Sequence, residues 1–281
     1  MKWKSFHHPD WSLPVVRRRA QEEWLDLLED LGDLLTTGGR SHLWKHTYPN
    51  MSAYHNSMSR LRKAGLVVHA DRTGKLPHLK LTAQGREYLP VYHHPENLWN
   101  QKWNGIWYML IFDVPEKERH YRDTLRGFLK RMRMGCLQKS VWITPRDIRP
   151  EYDDLERAAN VHAISYLLES RTVLHNDIVE MVENAWAFDH LLELHQRYLS
   201  VIGKNLQLLE ELNHDEEALL ILLRLESEAY IQCMRPDPLL PNKLLPKGYL
   251  GKQVHALHKS ARRAIGQQLR SISSKCRNRG N

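Results

Sequence analysis

Apolar positions recur every three to four residues at both ends of this chain, while its middle carries short runs of aromatic and β-branched residues. Trp24, Leu27, Leu28, Leu31, Leu34 and Leu35 mark one face of a helix that opens near Pro14 and stops at Gly38-Gly39. A short element at residues 41–46 is followed by a break at Pro49-Asn50. The next periodic stretch covers residues 51–64, with Tyr54, Met58 and Leu61 as its apolar stripe and Gly65 placed to cap it. Residues 66–68 and 79–82 then read as two short strands around a basic tip, Asp71-Arg72-Thr73-Gly74-Lys75. Helix, short helix, helix and hairpin is the order of a winged helix-turn-helix.

A Pro-, His- and Trp-bearing connection between Tyr92 and Trp103 marks the first boundary. Beyond it the pattern predicts a strand over 105–112, a helix from Pro115-Glu116 to about Met132, a strand over 137–144, a helix over 151–160 and a strand over 163–168. That alternation predicts a ferredoxin-like α/β layer with one strand still to be placed. Along the long helix, Tyr121, Leu125, Phe128, Leu129 and Met132 face the sheet, and Arg119, Arg122, Arg126, Lys130 and Arg133 line the other side. Such a stripe reads as a solvated face, with contact to DNA backbone as the alternative. From about Asn176 the chain reads as helical: Trp186, Leu191, Leu194, Tyr198 and Ile202 share one period, and further helices are expected over 206–212, 216–233 and 251–269. Asp215-Glu216-Glu217 suits a first helical turn, where negative charge is favoured. Arg262-Arg263, Lys275, Arg277 and Arg279 read as a frayed basic tail. The fold class expected is α+β multidomain: a winged helix-turn-helix over 1–92, a ferredoxin-like domain over 93–172 and a helical domain over 173–281.

One segment stands apart. Residues 237–251, Asp-Pro-Leu-Leu-Pro-Asn-Lys-Leu-Leu-Pro-Lys-Gly-Tyr-Leu-Gly, hold three prolines among paired leucines, just after Pro236. Each proline fixes φ and removes a donor, so no long helix or central strand forms. The segment is also too apolar for a solvated linker, and a rigid, packed connection between two helices is expected.

Composition adds a partner class. Over 281 residues, Lys and Arg exceed Asp and Glu by eight, and the isoelectric point is about 9.3, which suits a polyanion such as nucleic acid. Cys136, Cys233 and Cys276 are widely spaced and form no CxxC, which favours a reducing cytosol. The longest aliphatic run, residues 219–223, is too short to span a bilayer, and the N-terminal residues show no apolar signal core. A cytoplasmic protein without membrane contact is expected. His93-His94, and His42 with His46, lack a third ligand at sensible spacing, so no metal or other cofactor is assigned.

The candidate chemistry is therefore double-stranded DNA recognition. A helix in the major groove reads base edges with small polar and basic side chains. Residues 51–64 offer Ser52, His55, Asn56, Ser59, Arg60, Arg62 and Lys63 away from the apolar stripe and carry no acid. His55, Asn56, Ser59 and Arg60 are the expected base readers, and Arg72 and Lys75 at the wing tip are expected on phosphate or in the minor groove. A small helical domain with a hairpin can also serve protein contacts.

Three blocks of the chain resemble the PaaX family of bacterial transcriptional repressors. They are Ser59-Arg60-Leu61 with Gly65-Leu66, Leu81-Thr82 and Gly85; Lys102 to Gly105, Phe112 to Glu116, Arg119, Arg122-Asp123, Leu125-Arg126 and Val141 to Pro145; and the proline segment from Asp237 to Gly251. One departure is His55, where the family usually has Arg. The resemblance implies a non-enzymatic repressor that dimerises on a near-palindromic operator, represses a nearby catabolic operon and is released by an aryl-acyl-CoA such as phenylacetyl-CoA. The middle block also looks like the small ferredoxin-fold subunit of the CRISPR adaptation machinery, in which an Asp at the end of the first strand can bind a divalent metal. Asp113 occupies that position and raises a metal-dependent nuclease as the alternative, although pairing of Asp113 with Arg119 or Arg122 explains it more simply. A third possibility is an interaction scaffold.

Overall fold

The computed structural model describes residues 51–70, 78–87, 94–115, 119–152, 165–171, 177–211 and 216–278. The helices expected before residue 50, the wing tip with Arg72 and Lys75, His42, His46, His93 and most of the helix expected over 151–160 lie outside these residues. The described chain mixes helix and sheet and is of the α+β class. It divides into two units, one of residues 94–195 and 233–251, the other of residues 1–93, 196–232 and 252–281.

The unit of residues 94–195 and 233–251 is built on a four-stranded antiparallel sheet. A short helix, here Pro95–Trp99, precedes a strand at Trp107–Phe112, a helix at Arg119–Arg131, strands at Gly135–Gln138 and Val141–Thr144, and a strand at Ser165–Ser170. With the elements of the other unit at Met51–Lys63 (α1), Val67–Ala70 (β1), His78–Leu81 (β2) and Ala83–Glu87 (α2), these are α3, β3, α4, β4, β5 and β6. The sheet order is β4-β5-β3-β6, with β3 in the middle between two crossovers, as a ferredoxin-like layer requires.

The missing strand is now placed. Residues 137–144 are not one strand but the end of β4 and the whole of β5, paired antiparallel with a register shift between Cys136 and Gln138. The turn, Lys139-Ser140, carries no Gly, Pro, Asn or Asp, so only the polar run Gln138-Lys139-Ser140 marks it in the sequence. Arg126 holds this turn by donating to the Lys139 carbonyl at 3.1 and 3.3 Å.

Alternation along β3 feeds two cores. Tyr108, Leu110 and Phe112 pack with Leu125 and Leu129 of α4, and Trp142 and Met134 join them. Trp107 points the opposite way and packs with Ile143 and with Met181, Val182 and Ala185 of α5, Ile178–Trp186. Gly135 is required at the start of β4, since a Cβ there would stand 2.7 Å from the Trp186 ring. Trp186 does not continue the period of Leu191 and Leu194, as the spacing predicts. Ala187 turns left-handed at φ 47° and separates α5 from α6, Phe188–Glu211. No Gly or Pro marks this break, and the sequence pattern is blind to it.

In the other unit, α6 runs unbroken through Gly203, where two helices are expected. With α7 (Glu216–Met234) and α8 (Gly251–Asn278) it encloses a polar core. Glu216 and Glu217 form the first turn of α7, as expected. Tyr198 donates to Glu226 Oε1 at 2.6 Å, and His258 Nδ1 lies 2.7 Å from the same oxygen. Tyr230 stacks on His258 at 3.7 Å, and its hydroxyl meets His255 Nδ1 at 2.6 Å. The last helix continues to Asn278, beyond the end expected near Leu269. Arg262 is no part of a basic tail: it is buried in α8 and donates to Ser227 Oγ at 3.4 Å.

Candidate nucleic-acid interface

Helix α1 is fixed on one side and open on the other. Met58 and Leu61 are buried, as are Leu66, Val67 and Leu81 of the adjoining hairpin; the Tyr54 side chain lies outside the description. The helix ends in a Schellman motif: Leu66 N–H donates to the Leu61 carbonyl, Gly65 N–H to the Arg62 carbonyl, and Gly65 takes φ 73°. The buried side chains of Leu61 and Leu66 give the apolar pair that accompanies this motif. The capping role read from Gly65 is thus met.

The hairpin is locked to this cap. Strands β1 and β2 pair antiparallel, with Val67 opposite Leu81. Thr82 donates its hydroxyl to the Gly65 carbonyl at 2.7 Å and accepts from Gly85 N–H at 2.9 Å, thereby capping α2. A side chain at Gly85 would collide with the Leu66 carbonyl. Gly65, Thr82 and Gly85 therefore set the angle between α1 and the hairpin, and all three belong to the motif residues read from the sequence.

The structure places Ser52, His55, Asn56, Ser59, Arg60, Arg62 and Lys63 together on α1, all exposed. The helix has no acidic residue, and Arg60, Arg62 and Lys63 gather in its last turn. There the negative end of the helix dipole favours cations. Arg72 and Lys75 cannot be placed beside them.

A second polar cluster went largely unread. Asp237 is completely buried, and polar groups converge on its carboxylate and on the carbonyls around it. Tyr249 donates its hydroxyl to Oδ2 at 2.6 Å, the Leu239 N–H donates to Oδ1 at 2.8 Å, and His195 Nε2 lies 3.4 Å from Oδ2. His195 Nε2 is within ion-pair distance but is not aligned as a hydrogen bond. Arg133 donates to the carbonyls of Met234 and Asp237, and Arg146 donates to those of Pro238 and Leu239 at 2.7 and 2.9 Å. Burial pushes the Asp237 carboxyl up, against the opposing pull of His195, and pushes the His195 imidazole down. Burial, with Arg133 nearby, lowers Arg146 to about 10. Cys233 is also driven up by burial, so its thiol is a packing group and not a nucleophile.

This cluster explains the proline segment. Pro238, Leu239, Leu240, Pro241, Leu244 and Pro246 are buried, which meets the expectation of a packed connection. Leu239 adopts φ 50°, held by the Asp237 side chain. Trp99 Nε1 donates to the Tyr249 hydroxyl at 3.1 Å, and a Cβ on Gly251 would come within 2.8 Å of Asp237 Oδ2. The spacing of Asp, aromatic and Gly is thus one buried contact. Arg133 does not belong to the basic stripe of α4: it follows the helix at φ 60° and turns inward. On the stripe itself, Arg119 and Arg126 lie 3.7 and 3.8 Å from Asp123.

Asp113 stands exposed after β3, and no ion pair with Arg119 forms; that expected pairing is replaced by the one with Asp123. Among the described residues no three His, Cys, Asp or Glu side chains gather as a metal site, and no helix is long and apolar enough to cross a membrane.

Residues 100–182 match the PaaX protein central Cas2-like domain, and residues 186–274 match the PaaX-like protein C-terminal domain. A solved structure, the uncharacterized protein Rv0674 from Mycobacterium tuberculosis, aligns over 94% of this chain and 92% of its own with 17% identity and a TM-score of 0.52, a likeness of fold. No curated protein matches. With two consecutive family models covering well over half of its length, the chain belongs to the PaaX family.

Proposed function

We propose that this PaaX-type regulator is a sequence-specific, DNA-binding transcriptional repressor. The observation that carries the reading is α1: seven exposed polar or basic residues, no acid, and a helix clamped by Gly65, Thr82 and Gly85 to its hairpin. Arg60 is the principal base reader in this reading, with His55, Asn56 and Ser59 beside it, and Ser52, Arg62 and Lys63 contacting phosphates. Arg72 and Lys75 complete the interface at the wing. Residues 1–92 form the winged helix-turn-helix DNA-binding domain, residues 93–172 the ferredoxin-like domain, and residues 173–281 a helical domain for dimerisation or effector binding. Two copies bind a near-palindromic operator, and a small effector such as an aryl-acyl-CoA releases them.

A nuclease reading needs several oxygen ligands around Asp113. Asp113 is exposed, and no carboxylate cluster forms there among the described residues, so nothing favours it. The test is titration of the protein with the duplex upstream of its own gene against a scrambled duplex at physiological salt, with and without magnesium. Tighter binding of the native duplex by ~10³-fold or more is expected for a specific regulator. Equal binding of both duplexes, or magnesium-dependent cutting, would overturn the reading.

A further inference from the structure

Helix α8 carries no Asp or Glu over its 28 residues. Among the described α-helices only α1 shares that property, and α1 and residues 252–278 of α8 belong to the same unit. The rotation of α8 is fixed from its buried side. Val254, Ala261, Ile265 and Leu269 are core residues, His255 meets the Tyr230 hydroxyl, His258 lies against Glu226, and Gln268 donates to the Leu209 carbonyl at 2.8 Å. Turned the opposite way, Lys252, Lys259 and Arg263 are exposed. At about 100° per residue they fall within about 20° of one line along the axis, about 16 Å long. By register the same line passes through positions 270 and 277, both arginine in the sequence. The exposed neighbours Ala256, Ser260 and Gln267 are neutral.

Ordinary solvated helix faces of this protein look different. On α4, Arg119 and Arg126 flank Asp123, and on α7 Arg224 pairs with Glu228 at 2.9 Å. On α8, Lys259 and Arg263 stand four residues apart as like charges, which repel. Lys252 sits in the first turn, where the helix dipole disfavours a cation. Neither placement serves the helix itself. We propose that this exposed line of α8 is a second contact to double-stranded DNA, made to backbone phosphates and not to base edges. Charge complementarity selects the occupant. DNA carries one negative charge per ~1.7 Å of its axis, so a row of cations without acidic neighbours meets phosphate whatever the base sequence. Such a contact adds affinity and positions the protein, and it leaves base reading to α1.

The inference rests on the repressor reading above, and the test separates the two. The full chain and its double variant Lys252→Gln, Arg263→Gln are titrated with the native and the scrambled duplex over a series of salt concentrations. Both positions are exposed, so the thermal midpoint of the variant stays that of the parent. Its affinity is expected to fall ~10-fold or more, and by the same factor for both duplexes. The slope of log affinity against log salt is expected to drop by ~2 per bound copy, close to one for each lost phosphate contact. The exchange Lys252→Arg, Arg263→Lys keeps the parent slope, because phosphate is met by charge. Lys247→Gln, at an exposed lysine of the proline segment, also leaves the slope unchanged and controls for net charge. A parent that binds both duplexes equally sinks the repressor reading, while the slope still judges α8. An unchanged slope in the double variant overturns the proposal and leaves an acidic protein surface as the occupant of this face. A loss confined to the native duplex overturns it as well, since backbone contacts carry no sequence preference. A parent that binds neither duplex overturns both.

Discussion

On α1, Arg60, Arg62, His55 and Asn56 stand in solvent with no acid along the helix; around Asp237, Arg133, Arg146 and His195 are drawn inward. The side-chain types are nearly the same. What differs is their setting: those of α1 face solvent, and those around Asp237 lie against buried backbone. The Arg60 guanidinium is exposed, whereas Arg146 donates to two backbone carbonyls of the proline segment. Basic residues gathered on an exposed helix face are placed to meet a partner, and basic residues directed at buried backbone carbonyls serve architecture.

The sharpest way to break this contrast is at the buried end. Asp237→Ala leaves the Tyr249 hydroxyl and the Leu239 N–H without their acceptor and the Arg146 charge without its nearby carboxylate, and a loss of about 3–5 kcal/mol of stability is expected in chemical denaturation. A loss under about 1 kcal/mol would make Asp237 an ordinary loop residue. Arg60→Ala is the mirror case: operator affinity falls by about 1–3 kcal/mol in a binding titration while the melting temperature stays unchanged. Unchanged affinity would move base reading off Arg60. Tyr249→Phe removes one donor to Asp237 and the acceptor of Trp99, which predicts a loss of about 1–3 kcal/mol in stability with DNA affinity retained.

The smallest effect is one of pH. The folded protein holds the His195 imidazole below its ordinary value, so the unfolded chain takes up the proton first. Its contribution to stability is present above the unfolded value of about 6.5 and is lost as pH falls below it. The raised Asp237 carboxyl acts with the opposite sign at lower pH, where the folded protein protonates first. Thermal melts of the parent and His195→Gln between about pH 7.5 and 5.5 separate the two, spanning the ordinary histidine value. The parent loses stability relative to the variant as pH falls; parallel curves would show that His195 does not titrate differently on folding.

What could be read in advance depended on how local each signal was. The cap at Gly65, the two strands after it and the exposed face of α1 are written within a few residues, and the pattern found them. The packed character of the proline segment was legible from its prolines and leucines alone. Its partners were not, because Arg133, Arg146 and His195 lie 42 to 104 positions away from Asp237 along the chain. Arg133 even fits the helical stripe of α4 by spacing, and only its left-handed backbone takes it out. The hairpin between β4 and β5 and the break at Ala187 were missed because neither Lys139-Ser140 nor Ala187 carries the Gly, Pro, Asn or Asp that most strongly marks a turn.

The discontinuity of the sheet-bearing unit has a consequence for how the protein is made. Residues 94–195 leave the ribosome before Asp237 has been added, and 42 more residues must be joined first. At about 5–20 residues per second, that leaves a wait of roughly 2–8 s. During it, Arg133 and Arg146 have a sheet to lie against but none of the carbonyls they will finally hold. A nascent chain arrested in that interval should be open to protease at the future seat of the proline segment. The last arrival, and not the sheet, closes the unit.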